Sequence, residues 1–344
     1  MKIQFLSLSE QDRRLAFDNA AVGLQLSPVI LEKDFWVSWL LGLLFSQPEW
    51  AGQLVFKGGT SLSKVFGVID RFSEDIDLSL QPAFVGADVA AFDALQSRIK
   101  RDAAMNEMQM LCAEKVQQLL MPTLEAVMTQ TLGAAPKGAW LRFAMDADAK
   151  SPVVFFAYPT TQTAGFEYVR PEVKLEFGTL TDQQPTDMHP VRPLVARSYE
   201  TLFADWQCDV VALALVRTFW EKATILHAEF HRPEGSVMPD RFARHYFDMV
   251  MLLQHPQGQQ MLNDVAQCQR VVDWKSKVFA RAWARYDLAQ PGTFKLVTPQ
   301  FRKAALAQDY GRMQPMFMSQ PPSFAELMVQ LSRAEDQLNQ KTMN

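Results

Sequence analysis

The spacing of apolar residues divides this chain into a first half with two periodicities and a second half with one. Residues 8–22 and 28–46 repeat with the helical period, and the second stretch opens at Ser27-Pro28, where a proline costs a helix nothing. A short strand is expected over 53–57 (QLVFK), then a two-glycine turn and a helix over 61–69. Residues 74–80 (EDIDLSL) alternate polar and apolar, which is a strand pattern. A long helical region follows over 88–132, and strand-like runs return at 139–146, 152–158 and 168–178. After Ser198 the pattern is helical, over 209–230, 240–254, 259–267, 272–285 and 323–340. The chain shows neither an internal repeat nor a low-complexity linker. The expected fold class is α+β: a mixed sheet flanked by helices in residues 1–200 and a helical C-terminal region in 201–344.

Composition narrows the function classes. With 344 residues the chain can bury a substantial core in two domains, and 48% apolar with 21% charged residues is ordinary for a globular protein. A net charge of −4 excludes a wholesale basic polyanion binder, so any such binding must be local. The three cysteines, Cys112, Cys208 and Cys268, form no CxxC pair and fit a reducing cytoplasm. The N-terminus lacks the apolar core of a signal peptide. The longest nearly apolar stretch, residues 35–45, is far shorter than the roughly 20 residues a membrane span requires, so no membrane partner is expected.

The stretch that carries chemistry is FKGGTSL followed by SEDIDLS. Alternate residues of a strand share a face, so Asp75 and Asp77 point one way while Ile76, Leu78 and Leu80 point into a core. Two carboxylates side by side repel, and a divalent cation removes that penalty. Carboxylate oxygens suit Mg2+ (or Mn2+), which also takes phosphates and waters as ligands. Gly58 and Gly59 let backbone N–H groups come close to a triphosphate, and Thr60 and Ser61 add hydroxyl donors. A Gly-Gly turn alone is usually only a turn, and a DxD alone usually a solvated strand face. Together, in a strand–turn–helix–strand order, they suit nucleotidyl transfer from an NTP. There is no GxxxxGK[ST] and no dinucleotide fingerprint.

GG[TS]-helix-DxD resembles the signature of the nucleotidyltransferase superfamily. The fuller stretch FKGGTSLSKVFGVIDRFSEDIDLSL is similar to the AbiEii/AbiGii toxin family, as are Glu32-Lys33-Asp34-Phe35-Trp36-Val37 upstream and Arg217-Thr218-Phe219-Trp220-Glu221-Lys222 downstream. The segment between Thr60 and Asp75 is longer than in minimal superfamily members, which leaves the nucleotide preference open. The resemblance implies a nucleotidyltransferase-type sheet and a toxin of a toxin–antitoxin or phage-defence pair with a separately encoded antitoxin. It further implies NMP transfer to an acceptor hydroxyl, with tRNA as the expected acceptor; a protein or small-molecule acceptor, or nucleotide binding without turnover, are the alternatives.

Supporting residues follow. The run 172–177 (EVKLEF) alternates and presents Glu172, Lys174 and Glu176 on one face. Lys174 matches the family's strand lysine, which the resemblance implies contacts the triphosphate. Glu176 is a candidate third metal ligand or general base; cross-strand ion pairs are the ordinary alternative. Glu221 competes for that role, since the resemblance places an acidic–lysine pair, here Glu221 and Lys222, in the active site. An i,i+4 ion pair of Glu221 with Arg217 is its ordinary reading. Asp248 matches a later family aspartate and is expected to orient Arg244 or Lys222. His227 and His231 stand at i,i+4, but the intervening Glu229 is misplaced for HExxH, and a helix end is the better reading. Residues 264–312 hold nine Lys/Arg and four Asp, and Lys277, Arg281 and Arg285 would line one helical face suited to an RNA backbone.

Overall fold

The computed structural model describes residues 3–165 and 170–340, and by its internal contacts the chain forms two compact units. The first comprises Met1–Val65 and Phe72–Leu213; the second comprises Phe66–Arg71 and Ala214–Asn344.

The first unit opens with α1 (Gln4–Ser7), α2 (Glu10–Leu24) and α3 (Pro28–Phe45). The Ser9 hydroxyl caps α2 by accepting from the Asp12 N–H, and proline occupies the first turn of α3. Then come β1 (Leu54–Lys57), α4 (Gly58–Lys64), β2 (Ile76–Leu80), α5 (Val89–Ala94), α6 (Arg98–Lys115) and α7 (Met121–Leu132). The strands β3 (Leu141–Met145), β4 (Pro152–Phe156), β5 (Val173–Gly178), β6 (Thr186–Pro190) and β7 (Asp209–Leu213) complete the unit. Among the described residues, seven strands join one mixed sheet in the order β3-β4-β5-β2-β1-β7-β6. The pairs β2–β5 and β1–β7 are parallel and the others antiparallel.

One face of the sheet is core. Phe56, Leu78 and Phe177 align across β1, β2 and β5, as do Ile76 and Leu175, and all five are buried. α3 covers this face: Trp36 and Trp39 pack on Phe156, and Trp36 stacks on Tyr158 at 5.9 Å. Its other side meets Phe5, Phe17, Phe203 and Trp206, so α3 carries apolar side chains on both sides and is buried between layers.

The second unit is helical: α8 (Leu215–Phe230), α9 (Ala243–Gln254), α10 (Gly258–Asn263), α11 (Val265–Val278), α12 (Lys303–Arg312) and α13 (Phe324–Asn339). A capping box between Ser323 and Glu326 starts α13.

Several expected elements differ. Residues 209–213 (DVVAL) form β7, not the first turn of a helix; the β-branched pair and the buried Val210 and Ala212 favour a strand, and α8 begins only at Leu215. The helix expected over 61–69 spans Gly58–Lys64. The region 88–132 breaks between α5 and α6 and carries a π-helical turn at Val116–Leu120. The helix expected over 272–285 stops at Val278, and Ala282–Ala284 and Tyr286–Leu288 are short 3-10 turns. β6 and α12 were not anticipated. The strand expected over 168–178 is seen from Val173, and residues 168–169 lie outside the described residues.

Candidate active site

Asp77 is the centre of a row. On β2 it stands in register with Lys57 of β1 on one side and Glu176 of β5 on the other. Residues paired this way share a face, so the three side chains leave the sheet opposite its apolar face. Asp75 lies just ahead of β2, and its backbone carbonyl takes a hydrogen bond from the Thr60 hydroxyl. Burial pushes the Asp75 carboxyl up to about 6, and the charges of Asp77, Glu74 and Glu176 push the same way.

The turn after β1 is fitted to this carboxylate row. Gly58 has φ +82°, and a Cβ there would lie 1.9 Å from Oδ2 of Asp77. Both facts require glycine: the left-handed backbone disfavours a side chain, and the aspartate occupies the space one would need. Thr60 and Ser61 are buried. The Thr60 hydroxyl reaches the Ser73 hydroxyl as well as the Asp75 carbonyl, and the Ser61 hydroxyl donates to the Gly58 carbonyl at 3.0 Å. These hydroxyls, expected to serve a phosphate, bond within the turn in the structure.

Lys174 and Glu176 form an ion pair along β5. Burial works against the Lys174 charge, but the hydrogen bond to Glu176 and the charges of Glu176 and Asp75 outweigh it and raise its pKa. The donor chemistry suits a hard divalent cation: carboxylates crowd here in excess, and their repulsion is visible in Asp75. Among the described residues no three His, Cys, Asp or Glu side chains are gathered as a ready-made metal cage. Mg2+ commonly needs only one or two carboxylates beside substrate phosphates and waters, a number that Asp75 and Asp77 would meet.

The remaining expected site residues belong to the second unit. Asp248, fully buried, takes a two-pronged bond from Arg71 (2.7 and 2.8 Å) and one from Lys222 Nζ (2.8 Å). Burial alone would raise its pKa, but the two cations hold it well below the usual carboxylate range. Burial lowers the pKa of Lys222, and burial together with the Lys222 charge lowers that of His245, whose Nδ1 lies 3.3 Å from the ammonium. Asp248 thus orients Lys222, as expected, but its arginine partner is Arg71 and not Arg244. Glu221 pairs with Arg217 at 3.2 Å, the i,i+4 contact. Of the two candidate third carboxylates, Glu176 stands in the sheet with Asp77, whereas Glu221 lies on α8.

The expected basic helical face is not one. Lys277 sits in the last turn of α11, while Arg281 and Arg285 lie beyond its end. Arg285 adopts φ +46° and pairs with Asp287, and Trp283 lies under Arg232. The sequence run misled because aromatic and basic residues at helical spacing also suit turns packed on a core. His227 uses both ring nitrogens, one to the Arg285 carbonyl and one from the Lys295 N–H, and burial lowers its pKa to about 4.

Sequence reasoning missed Lys33, Glu74 and Arg71 as contributors. Lys33 pairs with Glu74, beside Asp75. The available signal was three consecutive charges, Glu32-Lys33-Asp34, in an otherwise apolar helix.

Comparison with known proteins adds the following. A family model described as nucleotidyl transferase AbiEii toxin, type IV toxin–antitoxin system, matches residues 39–330. No curated protein matches. Seven chains of solved structures match, among them MenT4, a nucleotidyltransferase toxin from Mycobacterium tuberculosis. That match has 16% identity and a TM-score of 0.44, and covers 95% of this chain and 97% of the other.

Proposed function

The chain belongs to the AbiEii family of nucleotidyltransferase toxins of type IV toxin–antitoxin systems, and from that premise we propose that it moves an NMP from an NTP to a tRNA hydroxyl in a site built on Asp75, Asp77 and Glu176. The supporting observation is the carboxylate row across β2 and β5, set against a turn at Gly58 that admits no side chain. Asp75 and Asp77 would hold Mg2+ or Mn2+, with Glu176 as the third carboxylate. A bound divalent ion supplies Lewis acidity and charge neutralisation at the phosphates.

The chain's own residues divide the remaining tasks. The backbone at Gly58 and Gly59 lets a triphosphate approach closely, and Lys174 offsets its charge once the nucleotide competes for the ammonium now paired with Glu176. The acceptor oxygen attacks the α-phosphorus, the bond to the β-phosphate oxygen breaks and pyrophosphate leaves. Glu176, released from Lys174, would take the acceptor's proton. Lys222 is assigned a phosphate-binding role on resemblance, and in the structure its ammonium is held by Asp248. A separately encoded antitoxin is the expected partner and the cytoplasm, where NTPs and tRNA are found, the expected location. Among the described residues no helix is long and apolar enough to cross a membrane.

The interrupted basic face gives a second reading its footing. Without Lys277, Arg281 and Arg285 on one helix face, the tRNA acceptor rests on the family alone, and a protein or small-molecule acceptor is its rival. The test incubates the purified chain with each α-labelled NTP, Mg2+ and total tRNA, beside Asp77→Ala. Label on tRNA with the wild type alone supports the proposal and identifies the base. Pyrophosphate release without labelled tRNA shifts the acceptor to the second reading. NTP binding with neither product refutes turnover under these conditions.

A further inference from the structure

Glu32, Lys33 and Asp34 are consecutive on α3, and their exposures are 0%, 2% and 7%. Three successive charges inside an apolar helix are strongly unfavourable unless each is satisfied. Neighbours on a helix point about 100° apart, so the three reach different segments. Glu32 accepts from the Thr161 N–H (2.7 Å) and from the hydroxyls of Thr161 (2.8 Å) and Thr160, beyond the end of β4. Asp34 accepts from the Leu194 N–H (2.6 Å) and pairs with Lys64, the last residue of α4. Lys33 donates to the Glu74 carboxylate and to the Arg170 carbonyl at 3.1 Å.

The reach of Lys33 is the informative one. Glu74 precedes Asp75 and β2, while Arg170 precedes β5, which carries Lys174 and Glu176. Because β2 and β5 are parallel, their entries lie at the same end of the sheet, where one ammonium can hold both. Register matters here: a slip of one residue would turn Asp77 and Glu176 to opposite faces.

We propose that Lys33 is a positioning residue for the metal-binding carboxylates, tying the chain entering β2 to the chain entering β5 so that Asp75 and Asp77 stand beside Glu176. This rests on the reading of that row as a metal site. Lys33 itself would touch neither metal nor nucleotide.

Mn2+ binding to the metal-free full chain, read from the electron paramagnetic resonance signal of the free ion, tests this without turnover. Deleting a nearby cation should tighten cation binding if charge alone matters. Positioning predicts the opposite sign: Lys33→Met weakens Mn2+ binding by about tenfold, the scale typical of groups that orient metal ligands. Unchanged or tighter binding overturns the proposal. Should Lys33→Met not fold by circular dichroism, Glu74→Gln and Glu74→Ala decide. Both are neutral, but only glutamine keeps an acceptor for Lys33, so the alanine variant should bind Mn2+ about tenfold more weakly; equal affinities overturn the proposal. A wild-type chain that takes up no Mn2+, either alone or with a non-hydrolysable NTP analogue bound, overturns the metal site and the role of Lys33 with it. Wild-type uptake unaltered in Lys33→Met overturns the role of Lys33 alone.

Discussion

Gly58 and Asp77 depend on each other, and single substitutions should show it. Gly58→Ala would set a methyl group where the Asp77 carboxylate lies and force alanine into φ +82°. We expect it to abolish transfer and to cost about 1–3 kcal/mol of stability, read from urea unfolding. Asp75 behaves in the opposite sense. Its folded pKa, about 6, lies above the ordinary aspartate value, so the folded chain binds the extra proton between about pH 4 and 6. Stability therefore falls as pH rises through that window, and the full penalty is present at neutral pH. Asp75→Asn should raise the stability of the chelator-treated protein by about 2 kcal/mol at pH 7.5, with the gain shrinking towards pH 4, while abolishing transfer. Thermal melts at both pH values with a chelator present check this; a variant less stable than wild type at pH 7.5 would contradict it.

At the scale of elements, the docking of α11 on α8 contains a similar cost. Lys275 is buried on α11 and donates to the Glu221 carbonyl of α8 at 3.0 Å, and burial lowers its pKa to about 8. Between about pH 8 and 10.5 the unfolded chain binds the proton that the folded chain has lost, so stability rises with pH across that window. Relative to Lys275→Met, the wild type should gain on the order of 2 kcal/mol from pH 7 to 10, measured by denaturant midpoints. Elements also show what the sequence disclosed and what it hid. β2 was legible because Ile76, Leu78 and Leu80 alternate with polar residues, and the glycine turn because nothing else tolerates its backbone. β7 was hidden because DVVALALVRTFW is one apolar run, and period alone does not separate a buried strand from a helix. The partner of Lys33 was hidden for another reason: Glu74 lies 41 residues away, and only the folded sheet makes them neighbours.

For the whole molecule, the short stretch Phe66–Arg71 matters beyond its length, because it belongs to the C-terminal unit while the residues on either side belong to the sheet unit. Its tie is the pair of bonds from Arg71 to Asp248, both nearly or wholly buried. Arg71→Met removes the two-pronged bond but leaves the buried Asp248 carboxylate paired with Lys222, so it should cost about 1–3 kcal/mol. Replacing Asp248 by asparagine in the same background leaves the buried Lys222 without its carboxylate and should cost more still, and a double-mutant cycle on unfolding midpoints measures the Arg71–Asp248 coupling. A second unit expressed from Ala214 onward lacks Arg71 and should melt below the same unit in the full chain.

The same tie sets a timetable for synthesis. Asp248 is made 177 residues after Arg71. At about 5–20 residues per second on the ribosome, the guanidinium waits roughly 10–35 s for its carboxylate. A ribosome that halts between Glu176 and Asp248 holds a chain with the whole carboxylate row but no residue 248 to complete the other unit. Nascent chains arrested just before and well after Asp248 should therefore differ in how quickly protease cuts near Arg71, and equal cutting would show that the tie does not govern folding of the segment.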